Sequence, residues 1–363
     1  MTVRRIKTPA PYGEPFYGCI SHPDLYLWDA WSYEDDKALH LYCLAINKTQ
    51  PNGDKLLPAD KDNYLFHTRH FHSSDNGASW QDAGAFQQPL HTSDGHDARN
   101  IWSGSIEPLA DGNKLVGFTG IFEVDDQRQY LQNISLAKTA DGNQVEWFLD
   151  SPLSCPVRDR TQILEAGYYL DIAERLGHKD GEEGGPIMTW RDPYIFVDDN
   201  DQIHVFWAAK SGPTTPAIAH GLIKLGPKGY FLEHLYAPIS LPDGDSFTQG
   251  ELPKIYHDKL NETFYLVIST CKRLYEAQPE SEVERALRLY KSESLRGPWV
   301  PANGQDSLID GADGMFGMTV LRTDFENNRL LCISPRTSAV DAEQAFTFSE
   351  TFYLDLISAS VSQ

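Results

Sequence analysis

The amino-acid sequence predicts an all-β chain, a five-bladed β-propeller with short helical insertions between its blades, and three observations predict it. A two-strand phrase recurs five times: WDAWSYEDDKALHLYCLAI from Trp28, WSGSIEPLADGNKLVGFTGI from Trp102, WRDPYIFVDDNDQIHVFWAAK from Trp190, GELPKIYHDKLNETFYLVIST from Gly250 and FGMTVLRTDFENNRLLCISPR from Phe316. Each copy has the same grammar: a polar or acidic start, a short strand, an aspartate at the turn (Asp35, Asp111, Asp198, Asp258, Asp324), then a strand of β-branched and aromatic residues. Helical periodicity, by contrast, is weak throughout. A unit of about 70 residues cannot bury its apolar face alone, so the copies must pack on one another. Radial closure of four-stranded blades is the usual solution. The heads of the innermost strands then converge on one central pocket, and three of them carry acids: Asp29, Asp192 and Glu251.

The elements follow in chain order. Outer hairpins lie between the inner phrases, and the clearest is SSDNGASW from Ser73 to Trp80. There Asp75 and Gly77 suit a tight bend, and Trp80 packs back onto the strand. Degenerate copies stand at 137–147 (AKTADGNQVEW) and 290–299 (YKSESLRGPW), which makes Trp147 and Trp299 structural as well. Helices are expected over 162–176 and 277–288, both short insertions between blades. Two loops rich in glycine, proline and charge, 177–189 and 211–217, flank the third phrase as candidates for the pocket rim. At 363 residues the length alone suggests two domains, but the repeat argues for a single propeller over 1–363.

Bulk properties narrow the function. The chain is 40% hydrophobic and 12% aromatic, ample for a large core. Its 52 acidic against 31 basic residues give a net charge of −21, which disfavours nucleic acid or an anionic membrane as partner. A neutral small substrate, or life in salty surroundings, fits better. Five widely spaced cysteines with no CxxC pair (Cys19, Cys43, Cys155, Cys271, Cys332) suit a reducing compartment rather than a disulfide framework. The segment MTVRRIKTPAPYGEPF has two arginines but no apolar stretch behind them, so no signal peptide is read and cytoplasmic residence is expected. Oligomeric state is not legible.

Asp29, Asp192 and Glu251 occupy equivalent places in blades one, three and four. Three carboxylates at a hub cannot all ionise freely, so at least one pKa must rise. A protonated acid beside an ionised carboxylate is the pairing that glycosidic bond cleavage needs. Trp28 and Trp102 offer faces for the C–H side of a sugar, and Arg191 and Ser103 offer donors for its hydroxyls.

The ordered run Trp28-Asp29-Ala30-Trp31, Trp102-Ser103-Gly104-Ser105 and Arg191-Asp192-Pro193 resembles the motif series of the levansucrases, glycoside hydrolase family 68. That family shares a clan with the invertases and inulinases of family 32. The stretch KSESLRGPWVPANG at 291–304 is similar to a segment that follows the family's acid/base residue, and the resemblance runs from about residue 25 to 340. It implies a retaining double displacement on a β-fructofuranoside such as sucrose. Asp29 is then the nucleophile, Asp192 the group that stabilises the oxocarbenium-like transition state, and Glu251 the general acid and base. Trp28, Trp102, Ser103 and Arg191 line the fructosyl site. Where the family has Asp-Glu-Ile-Glu-Arg, this chain has Thr248-Gln249-Gly250-Glu251-Leu252, so Gln249 and Leu252 replace groups that help bind the leaving sugar. Gln249 and Arg273 complete the expected substrate-binding set, with Arg273 or Lys272 as the compensating cation.

Two other readings fit the same acids. An inverting arabinofuranosidase or xylosidase of family 43 type sets its carboxyls about 6.5–9.5 Å apart, against about 5–5.5 Å for retention. A non-catalytic carbohydrate-binding propeller is the third reading. No metal and no cofactor are expected: His70 and His72 of FHTRHFH share a strand face with no third ligand at a recognised spacing, and there is no phosphate loop or nucleophile elbow. His91 and His96 are candidates for the pocket border.

Overall fold

A computed structural model describes residues 7–50, 52–90, 96–178, 185–275, 278–337 and 345–362. Each of the five phrases forms the inner two strands of an antiparallel sheet, and each turn aspartate folds its carboxylate back onto the backbone. Asp35 accepts from the amides of Lys37 and Ala38, Asp111 from Asn113, Asp198 from Asn200 and Gln202, and Asp258 from Leu260 and Asn261. Asp324 accepts instead from the side-chain amide of Asn327. Asx turns of this kind offer the backbone a partner where the strand ladder ends.

Blade 1 holds strands Leu25–Glu34, Leu39–Asn47, His67–Ser73 and Ser79–Gln87, with Phe16–Tyr17 added at its outer edge. Blade 2 holds Asn100–Pro108, Lys114–Phe122, Leu131–Thr139 and Trp147–Phe148. Blade 3 follows with Arg191–Val197, Ile203–Gly212, Thr215–Gly226 and Gly229–Leu235. Gln249–Asp258, Thr263–Cys271, Arg285–Ser292 and Val300–Pro301 make blade 4, and Thr319–Asp324, Arg329–Ile333, Phe352–Asp355 and Ser360–Ser362 make blade 5. Within each sheet the strands meander outward in sequence order, so the five-bladed propeller expected from the repeat is the fold observed.

Apolar side chains alternate inward along these strands and pack between neighbouring blades. One cluster joins blades 2 and 3 through Leu115, Leu136, Trp190, Trp207 and Ala219; another joins blades 1 and 5 through Leu27, Leu41, Leu321 and Ile333. The SSDNGASW turn forms as read: Ser73 donates to Asp75, the Gly77 amide (φ +86°) donates to Ser73, and Trp80 is wholly buried. Trp299 is buried too, and Trp147 is partly buried against Tyr230.

Two expected helices are corrected. Over 162–176 only Arg160–Glu165 is helical, burying Ile163; Gly167 takes φ +96° just beyond the last turn and stops it. Over 277–288, of which residue 277 lies outside the described residues, Glu280–Glu282 is a 3₁₀ turn and Arg285 onward is the third strand of blade 4. The open edge of Thr263–Cys271 takes that segment as a ladder partner from Arg285 to Ser292, so pairing overrides a helical propensity. The segment 211–217 is a tight hairpin, closed by Gly212 opposite Thr215. Of 177–189, residues 179–184 lie outside the described residues, and Ile187, Met188 and Thr189 are buried beside the inner strand of blade 3. Among the described residues no helix is long and apolar enough to cross a membrane.

The ring closes by hydrogen bonds between the first and last blades. Phe348 donates to the Ile20 carbonyl, Leu27 to Phe346, Ala30 to Gly317, and the Ser32 hydroxyl to the Val320 carbonyl. Similar staples run around the hub: Asp192 amide to Thr119 Oγ1 (2.8 Å), Ile195 amide to Ser105 Oγ (2.9 Å), Tyr194 hydroxyl to the Ile255 carbonyl (2.9 Å), and Gly317 amide to Ser269 Oγ (2.9 Å). Small hydroxyl side chains at the hub thereby satisfy backbone groups that adjacent blades leave unpaired.

Candidate active site

All five inner strands slip register near the hub: between Trp28 and Ala30, Trp102 and Gly104, Arg191 and Tyr194, Glu251 and Lys254, and Val320 and Arg322. A bulge breaks strict alternation and re-aims a side chain, a device common beside active sites. Asp29, Asp192 and Leu252 sit on these bulges with φ of 43°, 61° and 54°. Left-handed backbone at a non-glycine residue costs about 1–3 kcal/mol and persists only where the surroundings over-determine it. The bulge also explains why neighbours part company. Trp28 turns into the core against Phe66 (4.8 Å between rings) and Phe346, while Asp29 turns into the hub.

Asp29, Asp192 and Glu251 come together there, linked through residues of blades 2 and 3. Ser103 Oγ donates to Asp29 Oδ2 at 2.5 Å. Arg191 places Nη2 at 3.4 Å from Glu251 Oε1 and Nε at 3.9 Å from Asp192 Oδ2, so one guanidinium serves two carboxylates. The Leu252 amide donates to Asp192 Oδ2 at 3.2 Å. Burial pushes the Asp29 carboxyl up to about 6; the Ser103 hydrogen bond opposes the rise, the Glu251 charge adds to it, and Lys61 and Lys254 oppose it. Burial likewise pushes Asp192, only 5% exposed, up to about 7, with Arg191 opposing and the charges of Glu251 and Asp29 adding. Like charges held in a partly dehydrated pocket behave this way.

The remaining expected site residues separate into two groups. Ser103 and Arg191 are at the acids, whereas Trp102, on the inner strand of blade 2, is partly buried and packs against the apolar cluster that holds Trp28. Gln249 is buried behind Arg191 and does not face outward as a leaving-group contact would. Its Oε1 accepts from Thr189 Oγ1 (2.8 Å) and Arg191 Nη2 (3.4 Å), and its Nε2 donates to the Arg273 carbonyl (3.3 Å). Arg273 forms an ion pair with Glu280, and Lys272 pairs with Glu284 at 2.6 Å. Leu252 is buried with Cys271, Val283 and Phe316, an apolar patch beside Glu251.

His96 and His70 are structural. His96 packs on Phe118 while its backbone carbonyl holds Asn133, and burial pushes it down to about 4; His91 lies outside the described residues. His70 stacks on Tyr42 and bonds His40 at 3.0 Å, and burial pushes it down to about 3. Among the described residues no three His, Cys, Asp or Glu side chains converge as a metal site would require.

Four site residues escape a reading of the sequence. Thr189 bridges Gln249 and Arg191. Cys271 sets its Sγ at 3.6 Å from Glu251 Oε1, and burial pushes the thiol up to about 12. Gly317 takes φ +77°, and a Cβ there would stand 3.1 Å from Asp29 Oδ1. Lys254, on the inner strand of blade 4, is 3% exposed, and among the described residues its ammonium group has no hydrogen-bond partner. The only sequence signal for the last is a lysine at a position where alternation demands an apolar or hub-facing residue.

No protein-family model matches this sequence, and no curated protein matches it. Solved structures do. The inulosucrase from Halalkalicoccus jeotgali bound to kestose is 16% identical, with a TM-score of 0.64 over 99% of this chain and 92% of its own. Bacillus subtilis levansucrase is 16% identical, with a TM-score of 0.62 over 96% and 88%. The Bombyx mori family 32 β-fructofuranosidase BmSUC1 is 15% identical, with a TM-score of 0.63 over 96% of this chain and 64% of its own. The chain therefore has the propeller fold shared by levansucrases, inulosucrases and family 32 β-fructofuranosidases.

Proposed function

We propose that this chain is a glycosidase that works as one catalytic unit on β-fructofuranosides, cleaving or transferring fructosyl groups by a retaining double displacement. One observation carries the reading: three acids from three blades meet at the hub, with the Ser103 hydroxyl on Asp29 and the Arg191 guanidinium shared by Asp192 and Glu251. In this reading Asp29 attacks the anomeric carbon, its attacking lone pair steered by the Ser103 donor. Glu251 gives its proton to the leaving oxygen and then takes one from water or an acceptor sugar. Asp192, deep in the pocket, complements the positive charge that builds on the ring.

The fold neighbours support fructosyl chemistry, since their names describe an inulosucrase with kestose bound, a levansucrase and a β-fructofuranosidase. The leaving-group side supports a small donor rather than a growing polymer. Leu252 stands where the family resemblance places an arginine, and the nearby Arg273 is turned to Glu280. Five unpaired cysteines, four of them buried, favour a reducing compartment.

The test is direct. Purified protein is incubated with sucrose, small fructo-oligosaccharides and aryl arabinosides, and the anomer of the first product is followed by NMR. Release of fructose with retained configuration is expected, and the Asp29→Asn variant is expected to lose several orders of magnitude in turnover with an unchanged circular dichroism spectrum. Net inversion, or full activity in that variant, would rule out Asp29 as nucleophile.

A further inference from the structure

The geometry points to a second binding site, at the mouth of the hub opposite the three acids: a cavity that takes an organic ammonium ion between the Glu107 carboxylate and the rings of Tyr194, Phe196 and Tyr256. The site is independent of the fructosyl-transfer reading.

Strand direction puts it there. The acids stand at the heads of the inner strands, and each strand then runs along the hub. Their far ends enclose a cavity of about 330 Å³, walled by all five blades through Glu34, Glu107, Phe196, Tyr256 and Arg322 in turn. That volume is within the range of small-molecule sites. None of Asp29, Asp192 and Glu251 lines it. Glu107 lies four residues beyond Ser103 on one strand, a rise of about 13 Å. Between them the Ser105 hydroxyl is bonded to the Ile195 amide. Glu107 shares a strand face with Ser105 and so leans toward blade 3, whereas Ile106 points the other way into the core around Trp28. Tyr194 and Tyr256 meet edge to face at 6.1 Å, and the Tyr194 hydroxyl is fixed on the Ile255 carbonyl.

The charges around this mouth select the ligand. Arg322 of blade 5 donates from Nε to Glu34 of blade 1 at 2.8 Å. Lys259 pairs with Asp199, and His257 holds Nδ1 at 3.7 Å from the same carboxylate. Lys114, opposite Pro108 in blade 2, donates to the Ala140 carbonyl at 3.0 Å and lies over the Tyr33 ring. Among the described residues no basic side chain pairs with Glu107. One carboxyl therefore stands uncompensated among aromatic walls. That combination suits a cation with an apolar body, since carboxylate and ring faces both attract the charge while the rings cover the carbon. A bare divalent ion would need several oxygen ligands that these walls do not offer. Burial pushes Glu107 up to about 8, so at neutral pH the empty site holds a proton. Binding exchanges one charge for the other: the carboxyl releases its proton to water and the ammonium ion pairs with the carboxylate left behind.

Tetramethylammonium chloride is the probe, titrated calorimetrically into the full chain at constant ionic strength. Binding is expected at about pH 8.5, weakening about tenfold per pH unit below 8. Up to one proton should be released per ion, counted in buffers of different ionisation enthalpy. Glu107→Gln should abolish binding at every pH and leave any turnover of fructosides unchanged, because the acids lie at the other mouth. The pH series uses the unaltered protein and holds if E107Q fails to fold. No binding at about pH 8.5, an affinity that ignores pH, or an undiminished affinity in folded E107Q overturns the inference. Glucose binding that E107Q removes, with no binding of tetramethylammonium, would give the cavity to a neutral sugar and overturn it too.

Discussion

At the scale of the residue, the hub is a problem in placing negative charge. Burial raises Asp29 to about 6 and Asp192 to about 7, so these two carboxyls titrate near neutrality rather than in the ordinary carboxylate range. The sign of the consequence follows. In the proposed double displacement Asp29 attacks only as an anion, so activity is expected above about pH 6 and its loss as the pH falls through that value. A profile of kcat/KM between about pH 4 and 8 checks it: an acid limb near 4 would mean that Asp29 is well hydrated in solution and not the buried nucleophile described. Gln249 matters here through its neutrality. A carboxylate in its place would face Arg191 and draw the guanidinium from Glu251, whereas the amide oxygen at 3.4 Å orients that guanidinium without adding charge.

At the scale of the element, blade 1 is held to the N-terminal segment by one buried ion pair. Arg69 grips Asp82 with Nε at 2.7 Å and Nη2 at 2.5 Å, and its guanidinium also donates to the carbonyls of Pro9 and Ala10. Asp82 accepts from the Tyr12 amide at 2.7 Å and lies 3.3 Å from His22 Nε2. Both charged side chains are fully buried. Removing one partner strands the other in a dry interior, which costs about 3–5 kcal/mol. Arg69→Met is therefore expected to lower the unfolding free energy by that amount, read as a lower urea midpoint, and to expose the 9–22 segment to protease at concentrations that spare the parent. Equal midpoints would show the pair to be ornamental. The same element shows why the strands were legible. Period-two apolar patterning and turn aspartates are local signals, present in the phrases themselves. The segment 277–288 misled because Val283 and Leu287 stand at a helical i, i+4 spacing, and the strand that decided the matter, Thr263–Cys271, lies outside the segment.

At the scale of the whole molecule, a net charge of −21 opposes the closure of the ring. Self-repulsion of this size destabilises the compact state and is screened within about 10 Å at 0.1 M salt. The melting temperature is expected to rise as sodium chloride is raised from about 0.01 to 0.5 M, over which the screening length falls several-fold. A melting temperature that stays flat or falls would place the acids too far apart to matter. Closure itself is distributed: blade 5 is built from contiguous chain, and the bonds Ile20–Phe348, Leu27–Phe346 and Ser32–Val320 join it to blade 1.

The repeat, the turn aspartates and the three acids at matching positions were determined by the sequence, because repetition forces equivalent residues into equivalent places around an axis. Which side chains meet at that axis was decided by the tertiary structure. The bulges at Asp29, Asp192 and Leu252 turn one neighbour into the hub and the other into the core, and no periodicity announces them. For the same reason Gln249 proved a clamp on Arg191, Arg273 a partner of Glu280, and Lys254 an interior cation. Each of those roles depends on atoms supplied by other blades or by distant loops, and distance along the chain carries no record of distance in space.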